Sequence, residues 1–284
     1  MSNFRERINM VSELSNRYEK VFNALKLSGT KGFIPFTLLG WPTMAQSKQI
    51  VEQLVAAKPA ALELGFPFSD PVADGSNIQQ AVSETLATGF KIPQAFELVA
   101  HARTLDADIP IGLLVYYNTV LAQGLEQFFS QAKQAGVDAV LIADLPPEMA
   151  EEVKPVADAV GIALVFIVSP LTKPERLTQL AKVAGAFFYV VSRLGITGSQ
   201  AVYDENLPAL MAMLREHSTL PLYVGFGIST PEQAKTMINI GADGYITGSK
   251  IIEIVRGQGD LPAYLQAMVQ VGQQPHSPTN AASA

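Results

Sequence analysis

The 284-residue sequence contains no cysteine. Disulfide frameworks, thiolate metal sites, cysteine nucleophiles and cysteine-attached haem are thereby excluded, while a reducing compartment is permitted. Charge is sparse at 16% of residues, and 20 Lys and Arg against 26 Asp and Glu leave a formal net charge of −6. Such a chain lacks the cationic excess that nucleic-acid backbones or anionic lipid surfaces demand. No apolar run approaches the roughly 18 residues of a membrane span. The opening MSNFRERINMVSELSNRY is broken by charge where a signal peptide has its apolar centre, so the expected location is the cytoplasm. Histidine is also scarce. His101 and His217 fall within segments of helical spacing and His276 within the polar end, which leaves neither histidine base catalysis nor a histidine-ligated metal its residues.

What the sequence has in quantity is apolar residues, 48% of the chain, enough for one large core. They recur as eight runs of strand length: Gly32 to Gly40, Ala60 to Phe68, Pro110 to Asn118, Ala139 to Asp144, Ala163 to Ser169, Ala186 to Ser192, Leu222 to Ile228 and Gly244 to Gly248. A segment of helical spacing follows each, including Leu125 to Ala135, Pro174 to Val183, and Asn77 to Thr104 with a break expected at Pro93. Runs without polar interruption, such as ALVFIVS, mark strands covered on both faces, as in parallel sheets wrapped by helices. A weak internal repeat agrees: QAGVDAVLIAD (134–144) and NIGADGYITGS (239–249) each place a helix end, a Gly, an Asp two residues on and then a strand. Eight βα units over roughly 250 residues predict an α/β protein with a single (β/α)8 TIM barrel, and a doubly wound open sheet is the competing architecture. The predicted organisation is a barrel over residues 1–272, including an additional N-terminal helix within residues 1 to about 27, and a disordered tail over 273–284.

In such a barrel the reactive residues stand at the carboxyl ends of the strands. Glu63 sits inside the apolar run ALELGF, where an unpaired charge is costly; it serves either a structural ion pair or chemistry, and the neighbouring runs offer few cations. Asp74 closes the long, turn-rich segment PFSDPVADG, and taken alone reads as a turn or helix cap. Asp144, before Leu145-Pro146-Pro147, fits a cap and a site equally well. Glycines cluster after the last three strands, at Gly195 and Gly198, Gly225 and Gly227, and Gly248-Ser249, where bare backbone N–H groups and a helix N-terminus suit a phosphate. Between these glycines and Glu63, a wall of Phe36, Leu114, Tyr116, Phe166, Ile167, Tyr189 and Phe226 would accept an aromatic or apolar group, to the extent that these side chains point inward.

The segment LELGFPFSDPVADG (62–75) closely resembles the signature of the tryptophan synthase alpha chain family. Matches follow in order at GFIPF (32–36), PIGLLVYYN (110–118), ADLP (143–146), Ser192-Arg193 leading to GITG (195–198), and GFGIS (225–229), so that the resemblance spans about residues 17 to 271. It implies a (β/α)8 barrel that cleaves indole-3-glycerol phosphate to indole and glyceraldehyde 3-phosphate by a retro-aldol reaction. Glu63 would be the acid-base residue and ionised Asp74 the acceptor of the indole N–H. Phe36, Leu114, Tyr116, Ile167, Tyr189 and Thr197 would bind substrate, and Gly198, Phe226, Gly227, Gly248 and Ser249 would hold the phosphate. The resemblance implies no metal and no cofactor in this chain. It implies a beta-chain partner carrying pyridoxal phosphate, in an α2β2 heterotetramer. The chain departs from the family pattern at Trp41, Ser76, Asn77, Ser169 and Lys250, none of which removes a catalytic group. A sugar-phosphate isomerase or synthase on the same barrel, and a non-catalytic partner of another chain, are the competing functions.

Overall fold

The computed structural model describes residues 16–192 and 203–274, and in it eight parallel strands close into a barrel in sequence order. They are β1 (Gly32–Leu38), β2 (Leu62–Gly65), β3 (Ile111–Val115), β4 (Ala139–Ile142), β5 (Ala163–Val168), β6 (Phe188–Val191), β7 (Leu222–Gly225) and β8 (Gly244–Thr247). Helix α1 (Arg17–Ser28) precedes them. The βα units carry α2 (Met44–Ala56), α3 (Ser76–Ala87), α4 (Ile92–Leu105), α5 (Tyr117–Leu121), α6 (Leu125–Ala135), a 3-10 turn at Pro147–Met149, α7 (Ala150–Ala159), α8 (Pro174–Val183), α9 (Leu207–His217), α10 (Pro231–Asn239), α11 (Ser249–Arg256) and α12 (Leu261–Gln273).

The eightfold alternation is as expected, with three local differences. The strands are shorter than the apolar runs, at the carboxyl end in β1 and β4 and at both ends in β2, β3 and β6. The break between α3 and α4 lies at residues 88–91, where Gly89 takes φ +78°; Pro93 belongs to the first turn of α4, where its missing N–H leaves no helical bond unmade. Helices α5 and α11 are additions to the expected set. Of the predicted tail, residues 275–284 lie outside the described residues, as do residues 1–15 of the predicted N-terminal segment.

Strand alternation divides the core in two. Leu62, Leu64, Leu113, Phe166, Phe188 and Val224 face outward into the layer shared with the helices, while Ile34, Leu141, Val165, Tyr189, Tyr223 and Ile246 fill the barrel. Phe166 is thus removed from the wall expected of it, one position out of phase with the inward row. The amino end of the barrel is stoppered by α1: the Phe22 ring stacks on Tyr223 at 4.7 Å between centroids, and Tyr18 lies 5.6 Å from Phe187.

The internal repeat has a physical basis. Gly136 and Gly241 end their helices at φ +96° and +100°, and the Asp two residues on reaches back to the first N–H of the preceding strand. Asp138 accepts from Ile111 N at 2.9 Å, and Asp243 accepts from Leu222 N at 2.8 Å. Each Asp also pairs with an Arg, Arg103 at 2.9 Å and Arg215 at 2.5 Å, and each Arg donates to the carbonyl of its glycine. The repeat is a device for anchoring strand starts at opposite sides of the barrel.

Candidate active site

At the carboxyl ends of the strands one pocket opens into the barrel. Phe36, Glu63, Leu114, Tyr189 and Ile246 rise into it from the strands, Asp74 and Gly75 close one side, and Phe226, Gly227, Gly248 and Ser249 close the other. Glu63 owes its place to the inward parity of β2, where it pairs in register with Phe36 on one side and Gly112 on the other. It is 5% exposed. Burial, followed by the charge of Asp74, pushes its carboxyl up to about 8. Among the described residues no cation contributes to the environment of Glu63, so none of them supplies a structural ion pair.

Asp74 is buried at the end of the loop that connects β2 to α3. Its backbone is set by a turn, with Asp74 N donating to Pro71 O at 3.0 Å and the Gln79 side chain donating to Asp74 O at 2.9 Å. The carboxylate itself accepts from the Tyr116 hydroxyl at 3.0 Å, and the same hydroxyl accepts from Ala73 N at 3.0 Å. Burial raises Asp74 to about 6, and the Tyr116 bond holds it from rising further. Asp74 caps no helix by its side chain: Gly75 is the N-cap of α3 and supplies no side-chain acceptor. Two carboxyls therefore face one cavity with titration points on either side of neutrality.

Opposite them, the backbone offers donors. Phe226 and Gly227 take φ +68° and +74°, and the left-handed conformation is strained for a residue as bulky as Phe226. The buried Ser192 hydroxyl fixes this turn by donating to the Phe226 carbonyl. Helix α10 is capped by its own Thr230 and Gln233, and Gln233 also takes the Ser229 N–H at 2.7 Å. Helix α11 has no side-chain cap, so its first N–H groups, beginning at Ser249, are left for a ligand at the positive end of its dipole. Gly248 has no room for a side chain, because a Cβ there would meet Phe36 at 2.8 Å.

Most of the predicted site residues are brought together: Glu63, Asp74, Phe36, Leu114, Tyr189, Phe226, Gly227, Gly248 and Ser249 all border the pocket. Tyr116 does not line it; its ring stacks on Phe68 at 5.0 Å while its hydroxyl holds Asp74. Ile167 opens instead onto a neighbouring recess beside Asp144 and Arg176. Asp144 accepts from Tyr117 N at 2.7 Å, at the start of α5, and does not cap the helical segments of its own unit, which have no side-chain cap. Thr197 and Gly198 lie outside the described residues. Ile78 and Ile246 line the pocket without having been singled out, although the inward parity of β8 that places Gly248 also places Ile246. Among the described residues, no group of three or more His, Asp or Glu is placed to hold a metal ion.

The sequence profile of the tryptophan synthase alpha chain family matches residues 22–280. The tryptophan synthase alpha chain of Methanothermobacter thermautotrophicus is 41% identical over 235 residues, covering 82% of this chain and 87% of that one. That of Photobacterium profundum is 39% identical over 258 residues, covering 91% and 95%. Among solved structures, the tryptophan synthase alpha subunit of Legionella pneumophila superimposes with a TM-score of 0.81 at 32% identity, over 92% of this chain and 98% of that one. A chain from the tryptophan synthase α2β2 complex of Pyrococcus furiosus does so with a TM-score of 0.78 at 33% identity, over 85% and 98%. With the profile covering nearly the whole barrel and relatives at this level of identity, the chain belongs to the tryptophan synthase alpha chain family.

Proposed function

We propose that this chain cleaves indole-3-glycerol phosphate to indole and glyceraldehyde 3-phosphate. The observation that carries the reading is the pairing of Glu63 and Asp74 in one pocket, with opposite protonation favoured at neutral pH, across from an uncapped helix N-terminus. The phosphate would rest on backbone N–H groups about Gly227, Gly248 and Ser249, and the indole against Phe36, Leu114 and Tyr189. Glu63, protonated below about pH 8, gives its proton to indole C3. Positive charge then develops on the ring nitrogen, whose N–H is bonded by ionised Asp74. The Glu63 carboxylate next removes the proton of the side-chain hydroxyl. The bond from C3 to that carbon breaks, its electrons return to the ring, and the carbonyl of the aldehyde forms. One proton has moved from oxygen to carbon, and Glu63 ends as it began.

Tyr116 keeps Asp74 in place and is a positioning residue in this scheme. Each step draws on the chain's own side chains and backbone, and we assign this chain no cofactor. The α2β2 complex of the Pyrococcus furiosus relative supports assembly with a beta chain, which by family would carry pyridoxal phosphate. The rim loop that bears Asp74 also exposes Ser69, Asp70 and Val72, where a partner could alter how Asp74 is held. No helix among the described residues is long and apolar enough to cross a membrane. Incubation with indole-3-glycerol phosphate, with and without a beta chain, tests the reading: slow indole release alone and faster release in the mixture are expected. A pure, folded chain that releases no indole under either condition overturns it.

A further inference from the structure

The chain's one tryptophan, Trp41, lies in the loop after β1 and is 2% exposed. Its indole N–H donates to Glu84 Oε2 at 2.7 Å, and the Arg256 guanidinium sits over its ring at 5.2 Å. Arg256 and Glu84 meet through two bonds, at 2.7 and 3.1 Å, and Gln80 donates to Glu84 at 3.0 Å. Three remote segments thus meet at one point: Trp41 from the first loop, Glu84 from α3 and Arg256 from the last residue of α11.

The positions of these helices give the cluster its significance. Helix α3 starts at Ser76, directly after Asp74 and Gly75, and α11 starts at Ser249 on the other side of the pocket. Neither start carries a side-chain cap, and Gly75 before α3 and Ser249 of α11 both line the pocket. The two helices pack side by side, and beneath Trp41 the contact is apolar, through Val82 of α3 and Ile252 of α11, with Ile78 linking it to the pocket wall. Glu84 and Arg256 stand about 10 Å or more along their helices from those starts. An exposed ion pair contributes little by itself, and here the two side chains are 40% and 37% exposed. This pair is different because it is bidentate and shares a buried aromatic ring as both donor and cation platform, which fixes its geometry.

We propose that Trp41, Glu84 and Arg256 form a positioning clamp that sets the distance between the phosphate end of the pocket, led by α11, and the Asp74 end, led by α3. The inference rests on the lyase reading for its kinetic effect. In that reading the substrate spans both ends, with its phosphate at α11 and its indole N–H at Asp74. A rigid helix pair joined at its far ends holds that span, and an error of a fraction of an ångström at the reacting atoms lowers the rate. A fragment that occupies one end alone is indifferent to the span.

The test uses the full chain with Glu84→Gln, Arg256→Gln, Arg256→Lys and Trp41→Phe. For Glu84→Gln and Arg256→Gln we expect kcat/KM for indole-3-glycerol phosphate to fall about tenfold, while the Kd of glycerol 3-phosphate stays within about twofold. Arg256→Lys, which keeps the charge, should recover part of the loss. Trp41→Phe, which keeps the ring and loses the N–H, should lie between. Trp41 fluorescence provides a readout free of turnover: glycerol 3-phosphate should change it in the parent chain and change it less in Glu84→Gln. Unchanged kcat/KM with only a lower melting temperature would reduce the cluster to a structural brace and overturn the proposal. So would a parallel loss of glycerol 3-phosphate affinity, which would mean local damage at the phosphate end. If the parent chain releases no indole, the lyase reading fails and the fluorescence comparison still decides the clamp, with an equal response in both chains refuting it.

Discussion

The hydroxyl of Tyr116 stands 3.0 Å from Asp74 Oδ2 and, at the same distance, accepts the N–H of Ala73. One oxygen thus fastens both the carboxylate and the backbone of the β2–α3 loop to the end of β3. It also opposes the burial that raises the Asp74 pKa. Tyr116→Phe removes both bonds and keeps the ring that stacks on Phe68. The expected result is an acid limb of kcat/KM moved to higher pH and a severalfold lower rate at neutrality. An acid limb that does not move would show that Tyr116 leaves the ionisation of Asp74 alone.

The two carboxyls also fix the shape of the whole pH profile. Asp74 must be ionised, which requires a pH above about 6, and Glu63 must be protonated, which requires a pH below about 8. A bell in kcat/KM between those limits is expected. Glu63→Gln preserves shape but has no proton to pass, so nearly all cleavage should vanish at every pH while glycerol 3-phosphate still binds. Asp74→Asn should be severely impaired with the alkaline limb retained. Turnover of pure Glu63→Gln near that of the parent chain would exclude the acid-base role.

The same shifts bear on stability. Both groups titrate higher in the folded chain than in the unfolded one, so between about pH 4 and 8 the folded state binds more protons. Their contribution is fully present below the unfolded values and is lost as pH rises through about 6 and then about 8, by an amount on the order of a few kcal/mol. Glu63→Gln should therefore melt above the parent chain at pH 9, and the difference should shrink towards pH 5. Melting curves whose separation is independent of pH would contradict this.

At the phosphate end, Gly227 takes φ +74°, so any side chain there adds strain, and a carboxylate adds repulsion of a dianion. Gly227→Ala isolates the strain. Calorimetric titration with inorganic phosphate and with glycerol 3-phosphate should find Gly227→Asp weaker than Gly227→Ala by about tenfold or more. Equal affinities in the two variants would place the anion elsewhere.

The barrel was legible because its strands are covered on both faces, which leaves apolar runs that helical spacing separates; α6 and α8 fall on their predicted bounds. The short elements were not. Helix α5 has five residues and depends on Asp144 of another loop to start it, a tertiary contact that no local pattern records. Helix α11 holds its apolar side in only eight residues that follow a glycine read as a phosphate turn. Glu63 was legible as a charge in an apolar run, and Asp74 only through its motif. Phe166 and Tyr116 fall outside the expected wall because strand phase turns Phe166 outward and the Tyr116 hydroxyl is engaged by Asp74. Nothing in the sequence ties position 41 to 84 and 256, since only the closed barrel makes them neighbours.

The aromatic stopper formed by α1 makes the barrel a blind alley. With Phe22 and Tyr18 seated on Tyr223 and Phe187, the interior has no rear door among the described residues, and whatever is made beside Glu63 would depart past the rim it entered by. Traffic is thereby one-ended. A protein seated over that mouth would receive each product molecule ahead of the bulk solvent, by geometry alone and without any affinity for it.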